Sequence, residues 1–407
     1  MNIQKRQTAR WRLLALVVLL AVFVAGCANV RNGVSWPALE LVEIDGEPRV
    51  LVVYDGRVEA INPYQGAQLH VVRDSEGDVM RDANGNVQEW VLDGGDFDGA
   101  QFFAAPPLEM NVDIFTEDSE SNPLSDTFLL ATYNNRLLEV DIDTASVENP
   151  AGIELSNGVL AEIVVTDDFI YVPYRQQDVV ALDRETYEEV WRFDTQEGVW
   201  AQPLLNDGVL YVTSVDHFVY ALDANTGEEL WRVDLEGAVT STPLLYENHL
   251  YVGSYSHKIY QISLDGTIAA EYEGTNWVWG TPVIQDNVLY YSDLSGYVYA
   301  LDANGLTEIW AERPSRKGIR PAPIVTDQYV VVAGRDGSVY WLNIDSGSTV
   351  QTAELDNRPE LLSDMLYIPA DEENGLPELV LVASTENNRL VTALNMETFT
   401  PQWVYSR

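Results

Sequence analysis

Cysteine and histidine are nearly absent from this sequence, and their scarcity removes several kinds of chemistry. The chain of 407 residues has one cysteine, Cys27, and four histidines. A single cysteine leaves no thiol pair for a disulfide within the chain or for attachment of a c-type haem. No glycine-rich phosphate loop, nucleophile elbow or helical zinc motif is present either. We therefore expect that the protein is not an enzyme.

Basic residues are also scarce. The sequence has 23 Lys and Arg against 64 Asp and Glu, a formal net charge of −41. Such a surface repels the phosphates of nucleic acids and the headgroups of anionic lipids, so we expect no nucleic-acid partner and no polybasic membrane contact. The acidity favours solubility, including in a salty habitat. A dedicated cation-binding surface remains the alternative.

Long apolar runs are missing except at the N-terminus, where "LLALVVLLAVFVAG" precedes Cys27. The run is shorter than the roughly 20 residues of a membrane-spanning helix, and it follows a basic segment, so it predicts a secretory signal. With Cys27 the segment resembles a bacterial lipobox, which implies cleavage before Cys27 and lipidation of that residue. We predict a lipoprotein signal peptide over residues 1–26, a lipidated linker over 27–35 and a folded domain over 36–407. An ordinary signal peptide with a chance cysteine is the alternative.

The location that follows is the bacterial cell envelope, with the exported chain held to a lipid bilayer by its acyl anchor. Ala28 follows the cysteine, where an Asp would have suggested retention at the inner membrane. We therefore expect the periplasmic face of the outer membrane, or the outer face of the cytoplasmic membrane in a single-membrane bacterium.

Beyond the N-terminus the sequence repeats one phrase with a period of about 40 residues. Three sets of positions keep this period. The end of a "VYALD"-like strand recurs at Asn62, Asp141, Asp183, Asp223, Ser263, Asp302, Asn343 and Asn395. A proline recurs at Pro203, Pro243, Pro282 and Pro323, and a tryptophan at Trp191, Trp231, Trp310 and Trp403. The agreement of three sets indicates a repeat array rather than several unrelated domains.

Each period contains four short runs rich in Val, Tyr, Thr and Ile that are separated by Gly, Asn and Asp turns, and helical periodicity is absent. Four strands per period of this length are typical of a β-propeller blade. We predict an all-β fold, an eight-bladed β-propeller with four antiparallel strands per blade, and we expect the propeller to be a monomer. A seven-bladed ring with an irregular first segment is the alternative.

The widest gap between copies contains a segment over residues 74–99, which we place as an insertion between blades 1 and 2. Asp82, Asn84, Asn86 and Gln88 have the alternating oxygen groups of a calcium loop, but they lack the glycine and the distal glutamate of that motif. Turn formation explains the same residues. Calcium binding by the insertion is therefore an open alternative, and no metal site is predicted.

The stretch "ALDANTGEELW" (residues 221–231) resembles the repeat of the PQQ-type (pyrroloquinoline quinone) propeller family, Ala-x-Asp-x-x-Thr-Gly-x-x-x-Trp. In this repeat we expect Asp223 to accept hydrogen bonds from turn amides, Gly227 to adopt a positive φ and Trp231 to pack between blades. The same structural, blade-docking roles are expected of Asp183, Trp191, Asp302, Trp310 and Trp403.

The resemblance implies two kinds of function. Some members of the family are PQQ-dependent dehydrogenases, which hold the quinone beside a calcium ion, and many of them carry a disulfide of adjacent cysteines that this chain cannot form. The overall plan is more similar to the lipoprotein propellers of outer-membrane β-barrel assembly. The expected function is thus a membrane-tethered, non-enzymatic scaffold that binds an envelope or outer-membrane protein, without PQQ or another cofactor. A PQQ-dependent oxidoreductase-like protein and an extracellular ligand-binding or sensor propeller are the alternatives.

One group of residues predicts a partner-binding surface. When the innermost strands are aligned on their prolines, Trp200, Thr240, Trp279 and Arg320 occupy equivalent positions near one mouth of the channel. Arg313, Arg316, Lys317 and Arg320 lie within eight residues of an otherwise acidic chain, so they could attract an acidic partner. The alternative is that the bases neutralise neighbouring acidic blades and that the tryptophans only pack between blades.

Overall fold

The predicted eight-bladed propeller is confirmed by the computed structural model, which describes residues 37–54, 56–66, 69–73, 77–81, 85–96, 108–110, 127–147 and 149–406. Eight antiparallel sheets of four strands each follow one another along the chain. Each sheet keeps the order of its strands in the sequence, so every blade is a simple meander. The signal peptide and linker predicted over residues 1–35 lie outside the described residues.

The strands are short and regularly spaced. Blades 1 to 4 consist of β1 Ala38–Ile44, β2 Glu47–Tyr54, β3 Arg57–Ile61 and β4 Val91–Asp93; β5 Leu108–Met110, β6 Thr127–Ala131, β7 Arg136–Asp141 and β8 Ile153–Glu154; β9 Val164–Val165, β10 Phe169–Pro173, β11 Val179–Asp183 and β12 Glu189–Phe193; β13 Leu204–Asn206, β14 Val209–Thr213, β15 Phe218–Asp223 and β16 Glu229–Asp234. Blades 5 to 8 consist of β17 Leu244–Tyr246, β18 His249–Gly253, β19 Lys258–Ser263 and β20 Ile268–Glu273; β21 Val283–Gln285, β22 Val288–Ser292, β23 Val298–Asp302 and β24 Thr307–Glu312; β25 Ile324–Val325, β26 Tyr329–Gly334, β27 Ser338–Asn343 and β28 Thr349–Glu354; β29 Leu366–Ile368, β30 Leu379–Ala383, β31 Val391–Asn395 and β32 Pro401–Tyr405. Among the described residues, two short 3₁₀ helices cover Gly94–Asp96 and Asn387–Arg389.

The sequence of a blade follows from where each strand lies. The two middle strands of blade 4, β14 and β15, read VLYVT and FVYALD and are buried along most of their length. They are covered on both faces by neighbouring blades, which requires continuous apolar runs rather than alternation. The outermost strand, β16, alternates exposed and half-buried residues because it has water on one side.

Side-chain packing between successive blades holds the ring together. Eight hydrophobic clusters lie between consecutive blades, and one of them joins blade 8 to blade 1. In that closing cluster Leu379 and Leu381 of β30 pack with Val50 and Val52 of β2. All four strands of each blade come from one continuous segment, so closure needs no exchange of strands between the chain ends. The seven-bladed alternative is wrong.

The insertion lies within blade 1, not between blades 1 and 2 as the sequence led us to expect. Strand β4 pairs with β3 as the fourth strand of that blade, so the extra residues form the connection between the third and fourth strands. Two consecutive hairpins make up this connection, with bridges between Arg73 and Val79 and between Arg81 and Val87. The boundary was wrong because β4 is only three residues long and follows the hairpins directly.

Two of the four positions of the calcium alternative lie outside the described residues. Asp82 and Asn84 are not described, whereas Asn86 and Gln88 belong to the second hairpin. The backbone of Gln88 takes part in the hairpin, since its N–H donates to the Met80 carbonyl and its carbonyl accepts from the Val72 N–H, each at 3.0 Å.

Tryptophans on the outer strands connect each blade to the next. The indole N–H groups of Trp191, Trp231, Trp310 and Trp403 each donate to a backbone carbonyl of the following blade. The acceptors are Ala224, Leu264 and Ile344, each at 2.9 Å, and Pro63 at 3.2 Å. Trp90 makes the same bond to the Ile142 carbonyl at 2.6 Å. Sequence spacing missed Trp90 because the insertion separates it from the strand end at Asn62.

Each of the four regularly spaced tryptophans lies against a glycine of the next blade. A Cβ atom added to that glycine would come within 2.9 Å of the indole or closer, in the pairs Trp403–Gly66, Trp191–Gly227, Trp231–Gly266 and Trp310–Gly347. Gly227 therefore has two roles: it adopts a φ of 71°, and it leaves room for the indole of Trp191.

Blades without the tryptophan are followed by a larger side chain at the glycine position. The position of the tryptophan is occupied by Ala270 in blade 5 and by Gln351 in blade 7, as the strand register shows. The next blades then carry Leu306 and Phe399, with φ of 54° and 58°. These side chains pack in the clusters between the blades, so the larger side chain of the following blade fills the space that the missing indole would occupy.

Candidate functional site

The two faces of the propeller carry different kinds of loop. Because each blade is an antiparallel meander, the turns between strands one and two and between strands three and four lie on one face, here the turn face. The loops between strands two and three and the connections between blades lie on the other, here the connector face. The predicted binding residues Trp200, Trp279 and Arg313–Arg320 all belong to blade connections and hence to the connector face.

Four side chains from three loops stack at the mouth of the channel on the connector face. The rings of Trp277 and Tyr255 are parallel, with centroids 4.7 Å apart and planes at 3°. Tyr255 also contacts Trp279 at 5.6 Å and 35°, and the Arg320 guanidinium lies 4.0 Å from the centroid of Trp279. We call these four residues the aromatic ladder. Stacked rings ending in a guanidinium are the arrangement that cation–π attraction favours.

The positive end of the ladder is desolvated. Burial lowers the pKa of Arg320 to about 10, and the nearby Arg335 acts in the same direction, while Tyr255 and Asp364 oppose the shift. Arg320 therefore keeps its charge at neutral pH. Asp364 is reached by water, but the surrounding protein atoms of the channel desolvate it and raise its pKa. Its carboxylate accepts the Ala322 N–H at 2.7 Å.

The structure brings together some of the predicted binding residues and separates others. Trp279 and Arg320 are in contact, and Thr240, at the equivalent position of the preceding connection, has its hydroxyl 3.5 Å from that of Tyr255. Trp200 instead donates its indole N–H to the Arg175 carbonyl at 2.9 Å. Within the described residues no ring contact joins Trp200 to the ladder.

Sequence reasoning missed Tyr255 and Trp277. The signal for Trp277 was the alternation in "WVW", since residues 277 and 279 fall on one side of an extended chain and the buried Val278 on the other. Tyr255 has no such signal, because it reaches the ladder from the loop between strands two and three of blade 5.

The basic connection between blades 6 and 7 begins with a base that is held in place and continues with two that are not. Arg313 donates to the Ser295 carbonyl at 2.9 Å and lies 5.5 Å from the ring of Tyr297. Arg316 and Lys317 are exposed. Among the described residues, they are the only Arg and Lys side chains that make no ion pair, side-chain hydrogen bond or ring contact.

A loop of blade 6 connects the basic segment to the ladder. The Leu294 N–H donates to the Trp277 carbonyl at 3.0 Å, which fixes the loop against the ladder. On its other side Gly296, with φ of 88°, packs so tightly that a Cβ atom there would lie 2.5 Å from the Lys317 carbonyl. The backbones of Trp277 and Lys317 therefore flank one loop.

The described residues contain no group of three or more His, Cys, Asp or Glu side chains that could hold a metal ion. Within the same ranges, no helix is long and apolar enough to span a bilayer. The groups that the connector face presents at this point are flat apolar rings, a desolvated guanidinium and exposed bases.

One segment of the chain matches the model of a known protein family. Residues 175–275 match the family model described as outer membrane protein assembly factor BamB. No curated protein matches the chain. The structure is an eight-bladed propeller of PQQ-type repeats, as the sequence predicted, and it resembles BamB.

Two solved structures show how far the likeness extends. The structure of BamB from Moraxella catarrhalis is similar with a TM-score of 0.59 and 18% identity, over 88% of this chain and 98% of that one. A computationally designed protein, Ika8, is similar with a TM-score of 0.62 and 15% identity, over 90% of this chain and 98% of that one. A computationally designed protein fits as well as a natural one, and both are under 25% identical to this chain, so these likenesses carry the fold alone.

Proposed function

We propose that the protein is a non-enzymatic scaffold of the bacterial cell envelope that binds an envelope or outer-membrane protein and assists outer-membrane protein assembly. The observation that carries this proposal is the match of residues 175–275 to the family of an assembly factor of the outer membrane. That segment runs from blade 3 into the end of blade 5, and it contributes Tyr255 to the ladder.

The proposal includes the tether predicted from the sequence. Cleavage of residues 1–26 would leave Cys27 as the lipidated N-terminus, with residues 27–35 as the linker to the propeller. Lipidation with more than one acyl chain holds a folded domain at a bilayer without a spanning helix. Labelling with an alkyne fatty acid tests this part, and we expect Cys27→Ala to abolish the label.

The connector face supplies a surface suited to a protein partner. Interfaces concentrate their binding energy in aromatic and arginine side chains that are already partly removed from water, and the ladder has this composition. A ring of blades provides the stiff support that such a surface needs, because each blade is packed on both sides.

Capture of the tagged, full-length protein from cross-linked native membranes, followed by mass spectrometry, tests the function. Recovery of a β-barrel assembly protein or another envelope complex is the expected result. A protein that is recovered alone from its own membranes would count against the scaffold function and in favour of a small ligand.

The proposal includes no PQQ and no calcium. Equilibrium dialysis of the purified protein against the quinone, with and without calcium, tests this point. Calcium-dependent retention of the quinone would support the oxidoreductase-like alternative.

A further inference from the structure

The position of two unpaired bases identifies the kind of partner that the connector face fits. The chain has 64 acidic residues and 23 basic ones, and eight of the described bases form an ion pair with a carboxylate. Arg192 and Lys258 each contact two carboxylates, and Arg335, Arg358 and Arg389 each contact one. Arg316 and Lys317 have no such contact with a described residue. Several other described bases also lack an ion pair, but each of these donates a hydrogen bond to a neutral oxygen; they include Arg73, Arg81, Arg136, Arg175 and Arg184. Arg316 and Lys317 differ from them in having neither kind of contact with a described residue.

These bases lie beside the exposed end of the ladder. Trp277 ends the ladder, is half-buried and has one ring partner among the described residues, Tyr255. The loop that holds the Trp277 carbonyl also packs on the Lys317 carbonyl. If these loop segments are spaced as neighbouring strands are, the backbones of Trp277 and Lys317 lie about 10 Å apart, which an extended chain spans in three residues.

Arg320 is less suited than Arg316 and Lys317 to take a new anion. It stacks on Trp279, and Asp364 already acts on its charge from within the channel. The inner end of the ladder is therefore balanced by the protein itself, whereas the outer end is apolar and adjoins uncompensated positive charge.

We propose that Trp277, Arg316 and Lys317 form a docking surface for an extended acidic segment of a protein partner, with carboxylates on the two bases and an apolar side chain on Trp277. This inference rests on the proposed function and names the chemistry of the partner. Charge complementarity favours an acidic segment, because elsewhere the acidic surface of the chain repels one. An anionic bilayer is disfavoured, since it would bring many more acidic residues near its headgroups than the two bases can offset.

Binding of synthetic peptides to the purified full-length protein tests the inference. The probe is a fluorescein-labelled peptide of 12 residues in which pairs of Asp lie three residues from a Phe, and the matched probe has Asn for every Asp. We expect saturable binding of the acidic probe that weakens with added salt, and at least tenfold weaker binding of the Asn probe.

Variants of the protein test whether binding of the acidic probe depends on this surface or only on the net charge of the chain. Arg316→Glu with Lys317→Glu should weaken binding of the acidic probe at least tenfold, and Trp277→Ala should do the same. The control, Arg232→Glu with Arg358→Glu, changes net charge equally at two exposed bases that have acidic partners, and it should change binding less than twofold. Equal binding of the two probes, absence of saturable binding, or full binding by the double charge reversal would overturn the inference.

Two further outcomes distinguish this inference from the function on which it rests. If the wild-type protein captures assembly proteins from membranes and the Arg316→Glu, Lys317→Glu variant captures them equally, the function stands and the docking surface is wrong. If the acidic probe binds as expected while nothing is captured, the surface stands and the function is wrong. Binding to phosphatidylglycerol vesicles but not to the peptide would assign the surface to a lipid and overturn the inference.

Discussion

The turn face and the connector face are made from the same repeats but have diverged to different extents. On the turn face the same turn recurs: a side-chain oxygen of Asp141, Asp183, Asp223, Asn343 or Asn395 accepts the N–H three residues on, at 2.8 to 3.0 Å. On the connector face equivalent positions hold Trp200, Thr240, Trp279 and Arg320. The repeat is kept where every blade must dock on the next, and it varies where a partner can be distinguished.

The two faces should differ most in the unfolding free energy that is lost when a tryptophan is removed from each. Trp191→Ala deletes a side chain that is 8% exposed and bonded to the Ala224 carbonyl, so we expect a loss of about 3–5 kcal/mol of unfolding free energy. Trp277→Ala on the connector face should cost about 1 kcal/mol, because its half-buried ring has one ring partner. Urea denaturation of both variants measures the difference, and equal losses would contradict the division between the faces.

Glycine substitutions separate backbone strain from packing on the turn face. Gly227→Ala places a Cβ atom 2.6 Å from the indole of Trp191, at a φ of 71°. Gly208→Ala meets a similar φ of 77° but has nothing within 4 Å. We expect losses of roughly 2–4 kcal/mol for the first and about 1 kcal/mol for the second, because only the first adds a steric clash to the strain. Similar losses in thermal or urea unfolding would show that the indole does not need the space.

A double-mutant cycle tests the complementarity of neighbouring blades. Ala270→Trp introduces the missing indole in blade 5, and Leu306→Gly opens the facing position in blade 6. Each single change should destabilise the protein, by overpacking in the first case and by a cavity in the second. We expect the double variant to recover about 1–3 kcal/mol relative to the sum of the two. Additive losses would mean that the two positions do not face each other.

The smallest expected effect is a pH-dependent change in stability, and it concerns Glu40 on a strand that runs between the two faces. Glu40 is on β1, the innermost strand of blade 1, and burial raises its pKa from 4.5 to about 7. A carboxyl group whose pKa is raised in the folded state costs stability as pH rises from 4.5 through 7. Glu40→Gln should therefore stabilise the protein by roughly 1–2 kcal/mol at pH 8 relative to its effect at pH 4. Urea unfolding of this variant at both pH values, with the exposed Glu43→Gln as control, measures the shift, and a gain that is independent of pH would be contrary to it.

Much of the fold could be predicted because its signals are periodic and local. The strand ends, the prolines and four docking tryptophans repeat along the sequence, so spacing predicts four strands per blade and favours eight blades. The eight sheets of the structure exclude the seven-bladed alternative. Trp90 and β4 were missed because two hairpins interrupt the period at that point. A local insertion changes spacing along the chain without changing the place of the strand in the blade.

The candidate site was predictable only in part. Aligning the prolines was enough to bring Trp279 and Arg320 to one mouth, since these residues hold the same place in successive connections. It could not separate Trp200 from them or add Tyr255, because those contacts depend on how loops from different blades pack.

The sequence by itself determined the repeat and the blade, and it favoured eight blades over seven, because strand periodicity and turn residues act over a few neighbouring positions. The tertiary structure alone decided which indole lies on which glycine, and it alone decided that three separate loops build the ladder. These contacts join residues of different blades, and the closure of the ring sets which blades and loops meet. Compensation between Ala270 and Leu306, far apart in sequence, becomes visible only when blades 5 and 6 are packed together.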